Sequence, residues 1–166
     1  MKKYLSIILI VSSIFCCNNQ SSKTDQEEST DSMMETLKST KVQIEALKES
    51  GFQIFDYVDE KTQDTVIMQQ YFIAFLKKGP VRNQNEVEAS KLQEEHLAHL
   101  SKMYEMGYAD ISGPFGDDGD IRGITIYNVP NMKMADSLAN ADPMVKAGRL
   151  VIEIHPWWAA KGYPLR

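Results

Sequence analysis

The sequence predicts an α+β domain in which helices pack on one face of a four-stranded antiparallel sheet, with an extra helix and strand ahead of it. Three observations carry this. From Val66 onward the apolar period switches between 2 and 3.6 residues in the order βαββαβ, and two right-handed crossover units of that kind form one such sheet. The chain has 166 residues, 43% hydrophobic and 25% charged, which suits one cored domain plus tails. Both faces of the strand around Tyr71–Leu76 carry Phe, Tyr and Ile, so the face away from the helices also needs a cover. A second copy of the chain would supply it, closing an eight-stranded α/β barrel. The net charge is −5 and there is no Lys/Arg-rich run, which argues against a nucleic-acid partner.

The N-terminus reads as an export signal. Lys2 and Lys3 precede an apolar run from Leu5 to Phe15, too short to span a bilayer but suited to a signal-peptide core. Cys16 and Cys17 follow at once and are the only cysteines, so the remainder is free of disulfide and thiolate chemistry. A Cys directly after such a core resembles a bacterial lipoprotein signal, which implies lipidation at Cys16 or Cys17. The expectation is an exported, membrane-anchored protein of the cell envelope, facing the periplasm or exterior. The membrane would be reached only through that anchor. Residues 1–17 are therefore the leader, and residues 18–33, polar throughout apart from Met33, are expected to be a flexible tether.

Residues 34–64 form the extension. Met34, Leu37, Val42, Ile44 and Leu47 recur at helical spacing, with Gly51 as the stop. Phe52–Val58 alternates with period 2, Asp59–Asp64 is a turn, and the β-branched and aromatic run Thr65–Leu76 completes a hairpin. The main domain is expected over residues 65–158, with a tail over 159–166. Asn83 or Asn85 caps a long helix with Glu86 and Glu88 near its positive end. Ala89, Leu92, His96, His99, Leu100 and Met103 share one face, and Gly107 ends the helix. Tyr108–Ser112 is a short strand, Gly113–Gly119 a loop, and Ile121–Val129 a strand broken by Pro130. Asn131 caps a helix over Met132–Ala139. Asp142-Pro143 is an N-cap and N1 proline for a one-turn helix closed by Gly148. Leu150–Ile154 is the last strand, and His155-Pro156-Trp157-Trp158 starts the tail, with the tryptophans packing at a subunit or domain edge.

Several of these residues carry chemistry. The imidazole of His96 suits general acid–base work, or it is a packed core histidine. Asp142 has a structural use as a helix cap and a chemical use as a partner for an imidazole; a carboxylate has lone pairs for both. His99 shares the face of His96 at i, i+3, but no third ligand is placed and no HExxH occurs, so no metal is expected. Asp117-Asp118-Gly119-Asp120 fails the calcium-loop spacing and reads as a solvated hairpin loop. Ser112 lacks a nucleophile-elbow pattern and reads as a pocket wall or hydrogen-bond donor. Arg122 suits an anionic ligand or a surface ion pair.

Taken together, the His96–Leu100 core, the step to Gly107, Gly113-Pro114 and the ADPxVxAG run at Ala141–Gly148 resemble the YCII-related (YciI-like) family over about residues 66–158. The resemblance implies a ferredoxin-like βαββαβ fold, a homodimer forming a dimeric α/β barrel, and a candidate active site in which His96 and Asp142 pair as catalytic residues. His99, Ser112 and Arg122 are the remaining pocket candidates. The expected function is a small-molecule enzyme of lyase or isomerase type, with no cofactor. The alternative is a non-catalytic envelope module that binds a small molecule or a protein.

Overall fold

The computed structural model describes residues 21–165, with side chains described from Met34 onward. The apolar leader and both cysteines lie outside the described residues. The chain divides into two units, residues 1–38 and 39–166. The first is described only as helix, from Ser21. Helix α1 (Ser21–Glu49) thus begins inside the polar stretch expected to be a tether. Glu, Gln and Lys there are adequate helix formers, and propagating an existing helix needs no apolar stripe. No helix among the described residues is long and apolar enough to cross a membrane.

The second unit contains the sheet. Strands β1 (Ile54–Val58) and β2 (Thr65–Lys78) form the expected hairpin. Then follow α2 (Glu86–Glu105), β3 (Ala109–Pro114), β4 (Ile121–Tyr127), α3 (Met132–Ala139), α4 (Pro143–Lys146) and β5 (Leu150–Ala160). All pairings are antiparallel. β5 runs along β2 from Met68 to Lys78, while β1 pairs with β2 over Thr65–Gln69 and β4 over Phe72–Lys77. A strand has only two edges, so β1 and β4 lie end to end on one and β5 takes the other. Within the βαββαβ portion the order is β5-β2-β4-β3, the ferredoxin-like arrangement.

One correction concerns the C-terminus. The residues expected to begin a tail, His155 to Trp158, are paired in β5, with Pro156 opposite Phe72 and Trp158 opposite Gln70. Proline is compatible with an edge strand where its missing N–H would face outward. The unpaired length of β2 offers a ladder that continues to Ala160.

The period of 2 in β2 separates two faces. Phe72 and Ala74 are buried with Met103, Tyr127, Val129, Ala135 and Ala139 under α2 and α3. Leu76 belongs to a smaller cluster with Met144 and Leu150 near α4. On the opposite face stand Tyr71, Ile73, Phe75 and Lys77, facing Trp157, His155, Glu153 and Val151 of β5. There Lys77 Nζ bonds Glu153 at 3.0 Å, and Trp157 and Val151 are exposed.

Three helices end alike. The N–H of Phe52 returns to Leu47, that of Tyr108 to Met103, and that of Arg149 to Met144. In each case the preceding glycine has positive φ, the left-handed closure that satisfies the last carbonyls of a helix.

Candidate active site

Helix α2 is fixed at its start by a reciprocal cap. Asn85 Oδ1 accepts the Glu88 N–H at 3.0 Å, and the Glu88 carboxylate accepts the Asn85 N–H at 3.1 Å. With that start, helical spacing turns His96 and Met103 inward, and both are buried.

The partner of His96 comes from 46 residues further on. Asp142 precedes α4, where Pro143 sits at the first helical position, and its Oδ1 accepts the Met144 N–H at 2.8 Å. Its Oδ2 lies 2.5 Å from His96 Nδ1. The cap and the imidazole partner are therefore the same carboxylate, one oxygen for each. With Asp142 ionised its carboxylate only accepts, so the bond is donated by Nδ1–H, and in the neutral ring Nε2 then carries the lone pair. Asp142 is itself only 2% exposed, which leaves the ring, rather than the carboxylate, for a ligand to meet.

His96 lines a cavity of about 390 Å³ between α2, the β3–β4 hairpin and the residues following α4. That volume is in the range of small-molecule sites. Leu76, Leu97, Leu100, Ile124 and Leu150 give it apolar walls, and Ser112 and Arg122 are also in the lining. The hydroxyl of Ser112 meets that of Thr125, its cross-strand partner, at 3.0 Å. Ser112 is thus a wall residue with no bond to the imidazole. Arg122 Nη1 braces the preceding loop through the carbonyls of Asp117 (3.2 Å) and Gly119 (3.4 Å), with the Asp118 carboxylate at 3.5 Å. Arg122 thus stands in the cavity lining while its guanidinium makes the surface pair with Asp118.

His99 is not among the lining residues, which corrects the expectation that it faces the pocket. One helical step beyond His96, it is turned toward α3. Burial pushes its ring below the usual imidazole value, against the opposing pull of the Asp142 carboxylate and the Leu138 carbonyl. Its Nε2 is buried without a hydrogen-bond partner among the described residues. Tyr127, almost fully buried at the end of β4, has its phenol pushed above the ordinary range by burial first and by the Asp142 charge second. Among the described residues no group of three His, Cys, Asp or Glu side chains could hold a metal ion.

Two charged cavity residues escaped the sequence reading, Arg82 and Arg149. Arg149 follows the glycine that closes α4, so counting one residue past the helix stop would have drawn attention to it. Arg82, in the connection after Gly79-Pro80, carries no comparable signal.

The YCII-related domain matches residues 72–158, just over half of the chain. No curated protein matches it. Among solved structures, 5-chloro-2-hydroxyhydroquinone dehydrochlorinase from Burkholderia phenoliruptrix, in complex with 2,5-dihydroxybenzoquinone, is 23% identical. That similarity covers 52% of this chain and 92% of the other, at a TM-score of 0.40.

Proposed function

This chain belongs to the YCII-related domain family, and from that premise we propose that it is a small-molecule enzyme in which His96 moves a proton and Asp142 orients the ring. The observation that carries the reading is the buried 2.5 Å contact between Asp142 Oδ2 and His96 Nδ1, behind an imidazole that lines a cavity. His96 Nε2 takes a proton from a C–H or O–H of the bound substrate. The resulting imidazolium is stabilised by the Asp142 charge, as an oriented acid–base pair requires. Returning the proton to a second substrate atom gives an isomerisation; delivering it to a departing group gives a lyase step. Ser112 and Arg122 belong to the wall that positions the substrate.

We place the enzyme in the cell envelope, exported by its apolar leader and held by an acyl group on Cys16 or Cys17. We also propose a homodimer that covers the outer face of the sheet, where Tyr71, Phe75 and Trp157 stand.

The test is hydrogen–deuterium exchange into substrate. The full chain is incubated in D₂O with a panel of cyclic ketones and hydroxyquinones, and carbon-bound deuterium is read by mass spectrometry. Exchange that falls about 10²-fold or more in His96→Gln supports the reading. Exchange that persists in His96→Gln overturns it. A compound that binds wild type and His96→Gln equally, with no exchange in either, marks a binding module instead.

A further inference from the structure

The charge lining the cavity is one-sided. Arg82, Arg122 and Arg149 all contribute, together with His96, and no Asp or Glu does. In the chain as a whole acidic residues outnumber basic ones, 23 to 18. A neighbouring depression along α2 is the reverse, with Glu105 and Asp110 in its lining and no cation. From this asymmetry we infer that the cavity binds a small organic anion, a carboxylate on an apolar, ring-sized body. This deepens the enzyme reading and rests on it for the identity of the site, while the charge argument stands on the arginines alone.

The backbone brings two of the arginines together. Gly79 N–H bonds the Arg149 carbonyl at 3.0 Å, and Val81 N–H bonds the Gly148 carbonyl at 3.0 Å. The approach is too close for any side chain at Gly79, where a Cβ would stand 2.2 Å from the Gly148 oxygen. Gly148 has φ of +68, and a Cβ there would meet Val81 Cγ2 at 2.8 Å. The segment ending in Arg82 and the one beginning with Arg149 are thereby docked against each other.

The positive charge gathered there is left unbalanced. Among the described residues neither Arg82 nor Arg149 has an ion-pair partner. The one side-chain bond of Arg149, Nη1 to Gln84 Oε1 at 3.1 Å, goes to a neutral acceptor that orients the guanidinium and leaves its charge intact. Like charges gathered around one concavity repel, and an anion between them relieves this. Guanidinium groups match a carboxylate in plane and spacing, and the leucine and isoleucine walls take the apolar body. An anion held there would also place any charge that develops during proton transfer to His96 among fixed cations.

Benzoate and its neutral isostere benzamide separate charge from shape. Titrated into the full chain by calorimetry at low ionic strength, benzoate is expected to bind about tenfold or more tightly than benzamide. In Arg82→Gln/Arg149→Gln that preference is lost, while benzamide affinity is unchanged. Equal affinity of the two probes for wild type, no benzoate binding at all, or an undiminished preference in the double variant would overturn the inference. The wild-type comparison needs no variant and so does not depend on how the double variant folds. Measured on the wild-type chain, the two assays keep the proposals apart. A benzoate preference without proton exchange sinks the enzyme reading alone, and exchange without a preference sinks the anion site alone.

Discussion

Asp142 holds the His96 ring with one oxygen and the start of α4 with the other, so the partner of the imidazole and a helix cap are a single side chain. The two roles separate by substitution. Asparagine is as good a cap as aspartate, so Asp142→Asn should lose little stability. Its amide has no charge to stabilise an imidazolium, so proton exchange should fall about 10²-fold or more. Asp142→Ala should lose the cap as well, about 1 kcal/mol, and leave a buried His96 nitrogen unpaired, about 1–3 kcal/mol more. Urea unfolding of both variants beside the exchange assay checks this. Equal destabilisation by Asn and Ala would mean that Asp142 does not cap.

His99 sets a pH dependence. Burial is the main cause of its lowered value, so the folded state holds this ring neutral where the unfolded chain would protonate it. The stability it contributes is present above the ordinary imidazole value of about 6.5 and is lost as pH falls below that value toward the depressed one. The groups around it are the Asp142 carboxylate and the Leu138 carbonyl, which oppose the shift, and His96 and Lys146, which reinforce it. Unfolding midpoints should therefore drop between pH 7.5 and pH 5.5, and the drop should be smaller in His99→Gln. An identical pH slope in that variant would remove His99 as its source.

The glycines offer a graded series. Gly107 and Gly148 have nearly the same backbone angle, φ +71 and +68. Nothing lies within 4 Å of a Cβ at Gly107, while Val81 blocks one at Gly148. Gly107→Ala should cost about 1–2 kcal/mol, from the left-handed conformation alone. Gly148→Ala should cost more, because Val81 must also give way. Gly79→Ala faces backbone on the other side and should additionally weaken benzoate binding, since it pushes Arg82 away from Arg149. Chemical denaturation of the three variants ranks them, and a Gly79→Ala protein with wild-type stability would contradict the close approach seen here.

Why some of this was legible in sequence and some was not follows from the range of the forces involved. Asn85, Asn131 and Asp142 act on backbone within three residues of themselves, so their capping roles can be read locally. The inward turn of His96 follows from helical period alone. His99 misled because it lies close to the same face; the small angular difference between i and i+3 turns it away from the cavity and toward α3. The sequence ends β5 at Ile154, where Pro156 and two tryptophans break alternation, and only the unpaired length of β2 explains why pairing continues. The start of α1 lies in residues with almost no apolar content, where no stripe marks it. The segments carrying Arg82 and Arg149 are joined through the close approach of Gly79 and Gly148, a long-range event with no local signature.

The outer face of the sheet yields the last prediction. Tyr71, Ile73 and Phe75 alternate with the core residues of β2, and Trp157 beside Tyr71 is 42% exposed. The charges on this face pair among themselves. Glu153 is held below its usual range first by His155 and then by Lys77, and Lys77 is raised by Glu153. A face whose charges are already matched and whose centre is aromatic opposes a like surface little and gains from apolar contact. The full chain should therefore sediment as a dimer. Phe75→Glu, which puts a charge at the centre of this face without touching the core beneath, should sediment as a monomer with its far-UV circular dichroism unchanged. A wild-type monomer, or a Phe75→Glu protein that still dimerises, would show that the sheet is not covered by a second copy.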